Sequence, residues 1–134
     1  MDVVYKEEFY KIKQACIEVR KVLGNGFLEK VYENALVLLL RELGLKVEQQ
    51  RPITVYFHEK IVGEYIADVL VNDLVLLELK SAKNIVDQHI AQLLNYLKST
   101  QIEVGLLLNF GPKAEFKRKV YDNERKGTLS WTTK

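Results

Sequence analysis

Apolar positions fall along this chain in two patterns, stripes at helical spacing and short strand-like runs. Over residues 6–23, Phe9, Ile12, Cys16, Val19 and Leu23 fall three or four apart, which predicts an amphipathic helix. Gly24-Asn25-Gly26 interrupts it. A second stripe of Leu28, Val31, Tyr32, Ala35, Leu36, Leu39 and Leu43 predicts a helix over 27–43, with Gly44 as its stop. Three strand-like runs follow, at 46–57, 61–71 and 74–80, with His58-Glu59-Lys60 and Asn72-Asp73 as the turns. A third helix is expected over 85–98, with Val86, Ile90, Leu93, Leu94 and Leu97 turned inward. Residues 104–110 read as a buried strand, and "GPKAEFKRKVYD" after it as a turn and a short basic edge segment. The order is α-α-β-β-β-α-β. A helix between the third and fourth strands permits a parallel pair beside an antiparallel meander. The expected class is α/β, a mixed central β-sheet flanked by helices on both faces.

Two positions break the apolar pattern. In "LVLLELKSA", Leu74 to Ala82, Glu78 and Lys80 sit inside a run otherwise suited to a buried strand. Burying either charge costs several kcal/mol unless it is paired or binds something. The two are two residues apart, so on a strand they point the same way. Asp68 interrupts "EYIADVLV" in the same manner. Neighbouring carboxylates repel, and each is driven toward its neutral form. A divalent cation removes that penalty: Mg²⁺ takes a few carboxylate oxygens, keeps several waters and leaves sites for a phosphate. A lysine beside it can orient or deprotonate the attacking water and stabilise phosphate charge. Asp68, Glu78 and Lys80 therefore suit metal-assisted phosphodiester hydrolysis. A structural ion pair between Glu78 and Lys80 is the competing reading.

Composition narrows the setting. A chain of 134 residues, 48% hydrophobic and 28% charged, suits one globular domain over 1–134. No apolar run is long enough to cross a membrane, and the lone Cys16 excludes an internal disulfide and fits a reducing cytoplasm. The net charge of +2 does not announce a nucleic-acid binder, but residues 111–134 carry seven Lys/Arg against three Asp/Glu. That basic segment could meet phosphates or be a solvated tail. On the second helix, Glu29 falls at the border of the apolar stripe, while Glu33, one turn on, falls further toward solvent. On the third, Gln92 and Tyr96 stand at i and i+4 on one edge, where an amide and a phenol can grip a water, carboxylate or phosphate. His58 and His89 are too few for a zinc site with one cysteine, there is no phosphate-binding glycine loop or nucleophile elbow, and Asn109 reads as a strand-end residue.

"GNGFLEKVYENAL" contains G-x-x-E-x-x-Y as Gly26, Glu29 and Tyr32. Together with "GEYIADVLVNDLVLLELKSA", "QLLNYL" and "GLLLNFG", it resembles the GxxExxY family of the PD-(D/E)xK nuclease superfamily over about residues 12–120. The resemblance implies a restriction-endonuclease-like αβββαβ core and cleavage of nucleic acid, DNA foremost, dependent on Mg²⁺ (or Mn²⁺). It implies Asp68 and Glu78 as metal ligands, Glu29 completing the acidic cluster, and Lys80 as the catalytic lysine. Gln92-x-x-x-Tyr96 resembles the Q-x-x-x-Y motif of the lambda-exonuclease and RecB-like branch. Ala67 departs from the proline of the superfamily name. A non-catalytic nucleic-acid-binding or protein-interaction module on the same fold is the alternative. The small size is compatible with a homodimer or a partner protein. One geometric condition follows. A two-residue turn at Asn72-Asp73 would pair Val71 with Leu74 and send Asp68 and Glu78 to opposite faces. A shared site then requires an odd-length connection, a β-bulge or strong twist.

Overall fold

The computed structural model of the chain describes residues 5–127, so residues 128–134 of the basic C-terminal stretch lie outside the described part. Helix α1 (Lys6–Leu23) and helix α2 (Glu29–Glu42) precede three strands, β1 (Val47–Phe57), β2 (Lys60–Val71) and β3 (Val75–Lys80). Helix α3 (Asp87–Lys98) then leads to β4 (Val104–Asn109) and β5 (Glu115–Val120), and a short 3₁₀ turn spans Asn123–Lys126. The strands form one sheet in the order β1-β2-β3-β4-β5. All pairs are antiparallel except β3 and β4, which are parallel and joined through α3. The basic segment is thus the antiparallel edge strand β5.

The sheet divides two cores. Ile12, Ala15 and Val19 of α1 and Tyr32, Leu36, Val37 and Leu40 of α2 pack on one face, against Val69, Val71, Val75, Leu77 and Leu79. Leu93, Tyr96 and Leu97 of α3 pack on the other, against Leu70, Leu76 and Leu107. The alternation Leu76/Leu77 and Leu106/Leu107 across the two cores is the period of a strand buried on both sides.

Helix α2 departs from its expected stripe. Leu28 is its N-cap rather than a core residue and is 82% exposed, and Val31 is 39% exposed. The buried side runs instead through Tyr32, Glu33, Leu36, Val37 and Leu40. Apolar side chains left at the surface shifted the stripe read from sequence, so Glu33, expected toward solvent, is buried.

The β2–β3 connection has odd length. Asn72 and Asp73 both have positive φ, 51° and 56°, and the Leu74 amide donates to the Val71 carbonyl at 2.9 Å. That is a tight turn of the mirror-image type favoured in hairpins. Leu74 is nevertheless an extra residue, because Val71 pairs with Val75, Leu70 with Leu76 and Val69 with Leu77. Extending this register places Asp68 opposite Glu78, on a common face. A second irregularity lies across the hairpin. Val47, Val69 and Val71 belong to the α1/α2 core, whereas Ile53 and Ala67, of the same parity, belong to the α3 core. The β1–β2 pair therefore turns over by one residue at Gln50 and Asp68, and Gln50 has φ 54°, a conformation that costs a non-glycine residue free energy.

Candidate active site

The paired ladder between β2 and β3 ends at Val69 and Leu77. Beyond it the strands are held by side chains. The Asp68 amide donates to Glu78 Oε1 at 2.9 Å, and the Leu79 amide donates to Asp68 Oδ2 at 2.8 Å. Each carboxylate thus takes over a backbone donor of the opposite strand that the ladder leaves unpaired. The remaining oxygens, Asp68 Oδ1 and Glu78 Oε2, take no part in these bonds.

The electrostatics are those of two acids forced together. Glu78 is 3% exposed. Burial, and then the charge of Asp68, push its carboxyl up to about 8, against the pull of the Asp68 amide and Lys80. Asp68 is raised too, first by burial and then by Glu33 and Glu29, while the Leu79 amide and Lys80 work the other way. Lys80 lies on the Glu78 side of β3 and donates from Nζ to Gln92 Oε1 at 3.2 Å. Gln92 Nε2 donates in turn to Tyr96 Oη at 3.1 Å. Burial and the Glu78 charge raise the Tyr96 phenol. No salt bridge joins Glu78 to Lys80 among those of the described residues.

The structure therefore brings Asp68, Glu78, Lys80, Gln92 and Tyr96 to one place, at the C-terminal end of β3 and the adjoining side of α3. Glu29, in the first turn of α2, is exposed and acts on Asp68 only as the last of the charges that raise it. Its neighbour Glu33 is the buried one. Glu33 Oε2 accepts from Lys30 Nζ at 3.1 Å and Gln49 Nε2 at 2.8 Å, and both its oxygens accept from Gln50 Nε2 at 3.1 Å. These bonds hold Gln50 at the point where the strand pair turns over beside Asp68.

Residues 6–119 match the sequence pattern of the PD-(D/E)XK nuclease superfamily. The chain belongs to that superfamily. Two solved structures share the fold of this PD-(D/E)XK chain at low sequence identity. One, described as the crystal structure of SSO0001, aligns with a TM-score of 0.54 at 15% identity, over 94% of this chain and 65% of that one. The chain therefore spans a little under two thirds of that protein. The other is an alkaline exonuclease (LHK-Exo) from Laribacter hongkongensis, with a TM-score of 0.52 at 16% identity, over 96% of this chain and 76% of that one. A search of curated protein sequences gives no match. No helix among the described residues is long and apolar enough to cross a membrane.

Members of this superfamily generally use divalent metal ions. Among the described residues, no three of His, Cys, Asp and Glu are grouped so as to hold a metal by themselves. The donor set is a pair of carboxylates, each with one oxygen outside the backbone bonds. That suits a hard cation such as Mg²⁺, which keeps several of its waters.

Several residues support the site through contacts that the sequence did not reveal. Asn109 is 4% exposed and fastens the loop after Lys80. Its Oδ1 accepts from the Ala82 and Gly111 amides, each at 3.0 Å, and its Nδ2 donates to the Ala82 carbonyl at 2.9 Å. A Cβ on Gly111 would fall 1.9 Å from the Ala82 carbonyl oxygen, so only glycine permits this approach. Tyr32 is fully buried, stacks on Phe110 with centroids 4.9 Å apart, and donates from Oη to the Gly24 carbonyl at 2.8 Å. The Phe27 amide donates to the same Oη at 3.2 Å, and Ser81 Oγ donates to the Phe27 carbonyl at 3.2 Å. The tyrosine and glycines of "GNGFLEKVY" thus close the α1–α2 loop over the residue that follows Lys80. His89 accepts the Val86 amide at 3.2 Å at the start of α3, and His58 stacks on Phe57 in the β1–β2 turn.

Proposed function

We propose that this chain is a metal-dependent nuclease of the GxxExxY branch that hydrolyses phosphodiester bonds of nucleic acid, DNA foremost, as a single domain over 1–134. The observation that carries the proposal is the pair Asp68 and Glu78, the first half-buried and the second buried, both raised chiefly by burial and Glu78 also by the charge of Asp68, and bridged by backbone amides rather than by a cation of the chain. A purely structural pair of acids has no reason to bear that repulsion. Asp68 and Glu78 would hold Mg²⁺ or Mn²⁺, with Glu29 adding negative charge at the rim. The bound ion would supply neutralisation of the acids and of a phosphate, and lower the pKa of a water. Lys80, held by Gln92, offers an ammonium to the phosphate as charge builds in the transition state. Gln92 and Tyr96 hold one another, so Lys80 is oriented before substrate arrives. Glu33 keeps Gln50, and with it the strand turnover beside Asp68, in place.

The test uses the purified chain with labelled single-stranded, duplex and branched DNA and with RNA, in Mg²⁺, Mn²⁺ or chelator. Cleavage should require the ion and vanish in Asp68→Asn and Glu78→Gln. Lys80→Ala should retain divalent binding by calorimetry while losing about 10²–10³ in rate. Absence of cleavage of every substrate with both ions, or full activity in these variants, would overturn the assignment and leave a binding module on a nuclease fold.

A further inference from the structure

A groove of about 410 Å³ opens at the end of β3, where Ser81 follows Lys80. Phe27, Leu28 and Glu29 line it from the start of α2, Ser81 from the foot of β3, and Gly111 and Pro112 from the β4–β5 turn. Both walls are fixed before anything enters. Tyr32 Oη accepts the Phe27 amide at 3.2 Å, and Ser81 Oγ donates to the Phe27 carbonyl at 3.2 Å. Opposite, Arg20 donates from Nη1 to the Gly111 carbonyl at 2.8 Å and from Nη2 to the Pro112 carbonyl at 2.9 Å. Phe27 and Leu28 are nevertheless left 46% and 82% exposed. The Leu28 side chain adds nothing to the helix it begins. It stands at the N-cap of α2 and makes no capping hydrogen bond, where Ser, Asp or Asn would satisfy a free amide. The bonded loop thus holds an apolar edge out to water at the rim of the acidic site.

The lining selects what fills the groove. Phe27, Leu28 and Pro112 offer apolar surface. Among the described residues no Lys or Arg lines it, and its one ionisable side chain is Glu29. A phosphate has no counter-charge there. A flat, uncharged ring is the group that such walls take, and nucleobases stack on apolar and aromatic side chains with little regard to sequence. Continuity with the acids decides the source of that ring. Ser81 is covalently joined to Lys80, and Glu29 is among the charges that raise Asp68, so the groove begins where the cut phosphate would lie. The group next to that phosphate along the substrate is the adjoining nucleotide.

We infer that this groove is a nucleobase subsite, in which Phe27 and Leu28 receive the base adjoining the phosphodiester that is cut, and that the strand is unpaired at the cut. A paired base reaches such a groove only after it has been flipped out of its stack. The inference rests on the nuclease reading of Asp68, Glu78 and Lys80, and adds to it the class of substrate.

Cleavage of a labelled single-stranded DNA or RNA oligonucleotide by the full chain, resolved bond by bond and compared with the same strand carrying one abasic site, tests it. With the wild type, a bond beside the abasic position should be cut about tenfold more slowly than in the intact strand. Leu28→Ser supplies a better N-cap, so its melting temperature should be unchanged or higher, and its divalent binding by calorimetry unchanged. It should cut the intact strand about tenfold more slowly and no longer distinguish the abasic site. Leu28→Met, which keeps the apolar contact, should behave as the wild type. The same sequence in a continuous duplex should be cut more slowly than the single strand. A wild type that cuts beside the abasic position as fast as elsewhere overturns the subsite and leaves the nuclease assignment standing. So does a Leu28→Ser protein that discriminates the abasic site as the wild type does, and so does faster cleavage of the duplex. A chain that cuts no nucleic acid overturns both.

Discussion

Replacing Glu78 by Gln should stabilise the ion-free protein at alkaline pH and leave it little changed in acid. The amide keeps the carbonyl oxygen that accepts from the Asp68 amide, so the bond across the seam survives. What it removes is a carboxyl raised from 4.5 to about 8 by burial and by Asp68. With a folded pKa above the unfolded one, the native state holds the proton longer than the unfolded state. Stability is therefore lost as pH rises from 4.5 through 8, and the full penalty is present only above that window. At 1.36 kcal/mol per pKa unit, the shift sets a ceiling of about 5 kcal/mol. Asp68 shares the repulsion, so about 2–3 kcal/mol is the gain expected for one substitution at pH 8, with most of it gone by pH 5. For a domain of this size that corresponds to a rise of roughly 8–12 °C in Tm. Thermal melts of both proteins in chelator at the two pH values measure it, and saturating Mg²⁺ should narrow the gap by stabilising the wild type alone. A variant no more stable than the wild type at pH 8 would refute the repulsion argument. So would an equal gain at both pH values, which would mean that packing rather than ionisation was changed.

Two further substitutions probe the framework around the site. Gly111→Ala must push the Ala82 carbonyl away and break the clamp formed by Asn109, so it should cost about 1–3 kcal/mol in denaturant unfolding and lower nuclease activity further than that loss of stability explains. Lys126 is 1% exposed and donates to the Thr100 and Ile102 carbonyls at 2.9 and 2.8 Å, and burial lowers its ammonium to about 8. Lys126→Ala should leave those carbonyls unpaired and cost about 1–3 kcal/mol at neutral pH, with cleavage of substrate otherwise intact.

The order of elements was legible because apolar spacings of three or four mark α1 and α3, turn residues bound the strand-like runs of β1 and β2, and uninterrupted apolar runs mark β3 and β4. Asp68, Glu78 and Lys80 were legible because charges inside such runs need a reason. Glu33 was not. Leu28, Val31 and Leu38 leave apolar side chains at the surface of α2, and a helical wheel cannot tell these from core residues. Asn109 acts on Ala82, 27 positions away in sequence, and Lys126 acts on carbonyls more than 20 positions away, so no local pattern marks either. The facing of the two acids was legible only as a condition. Asn72-Asp73 identified the turn correctly, but nothing in the residue types revealed that Leu74 would be left out of the pairing.

That extra residue has a consequence for how such a chain can vary over generations. The connection of Asn72, Asp73 and Leu74 sets whether the two acids meet, and it does so through the parity of its length rather than through the chemistry of any side chain. A lineage that gained or lost one residue there would keep its turn, its hydrophobic strands and its acids, yet send one carboxylate to each side of the sheet. A change of two residues would leave the acids together. Insertions and deletions in this hairpin are therefore expected to be inherited in pairs, and an odd one marks a descendant that has given up the site while retaining the fold.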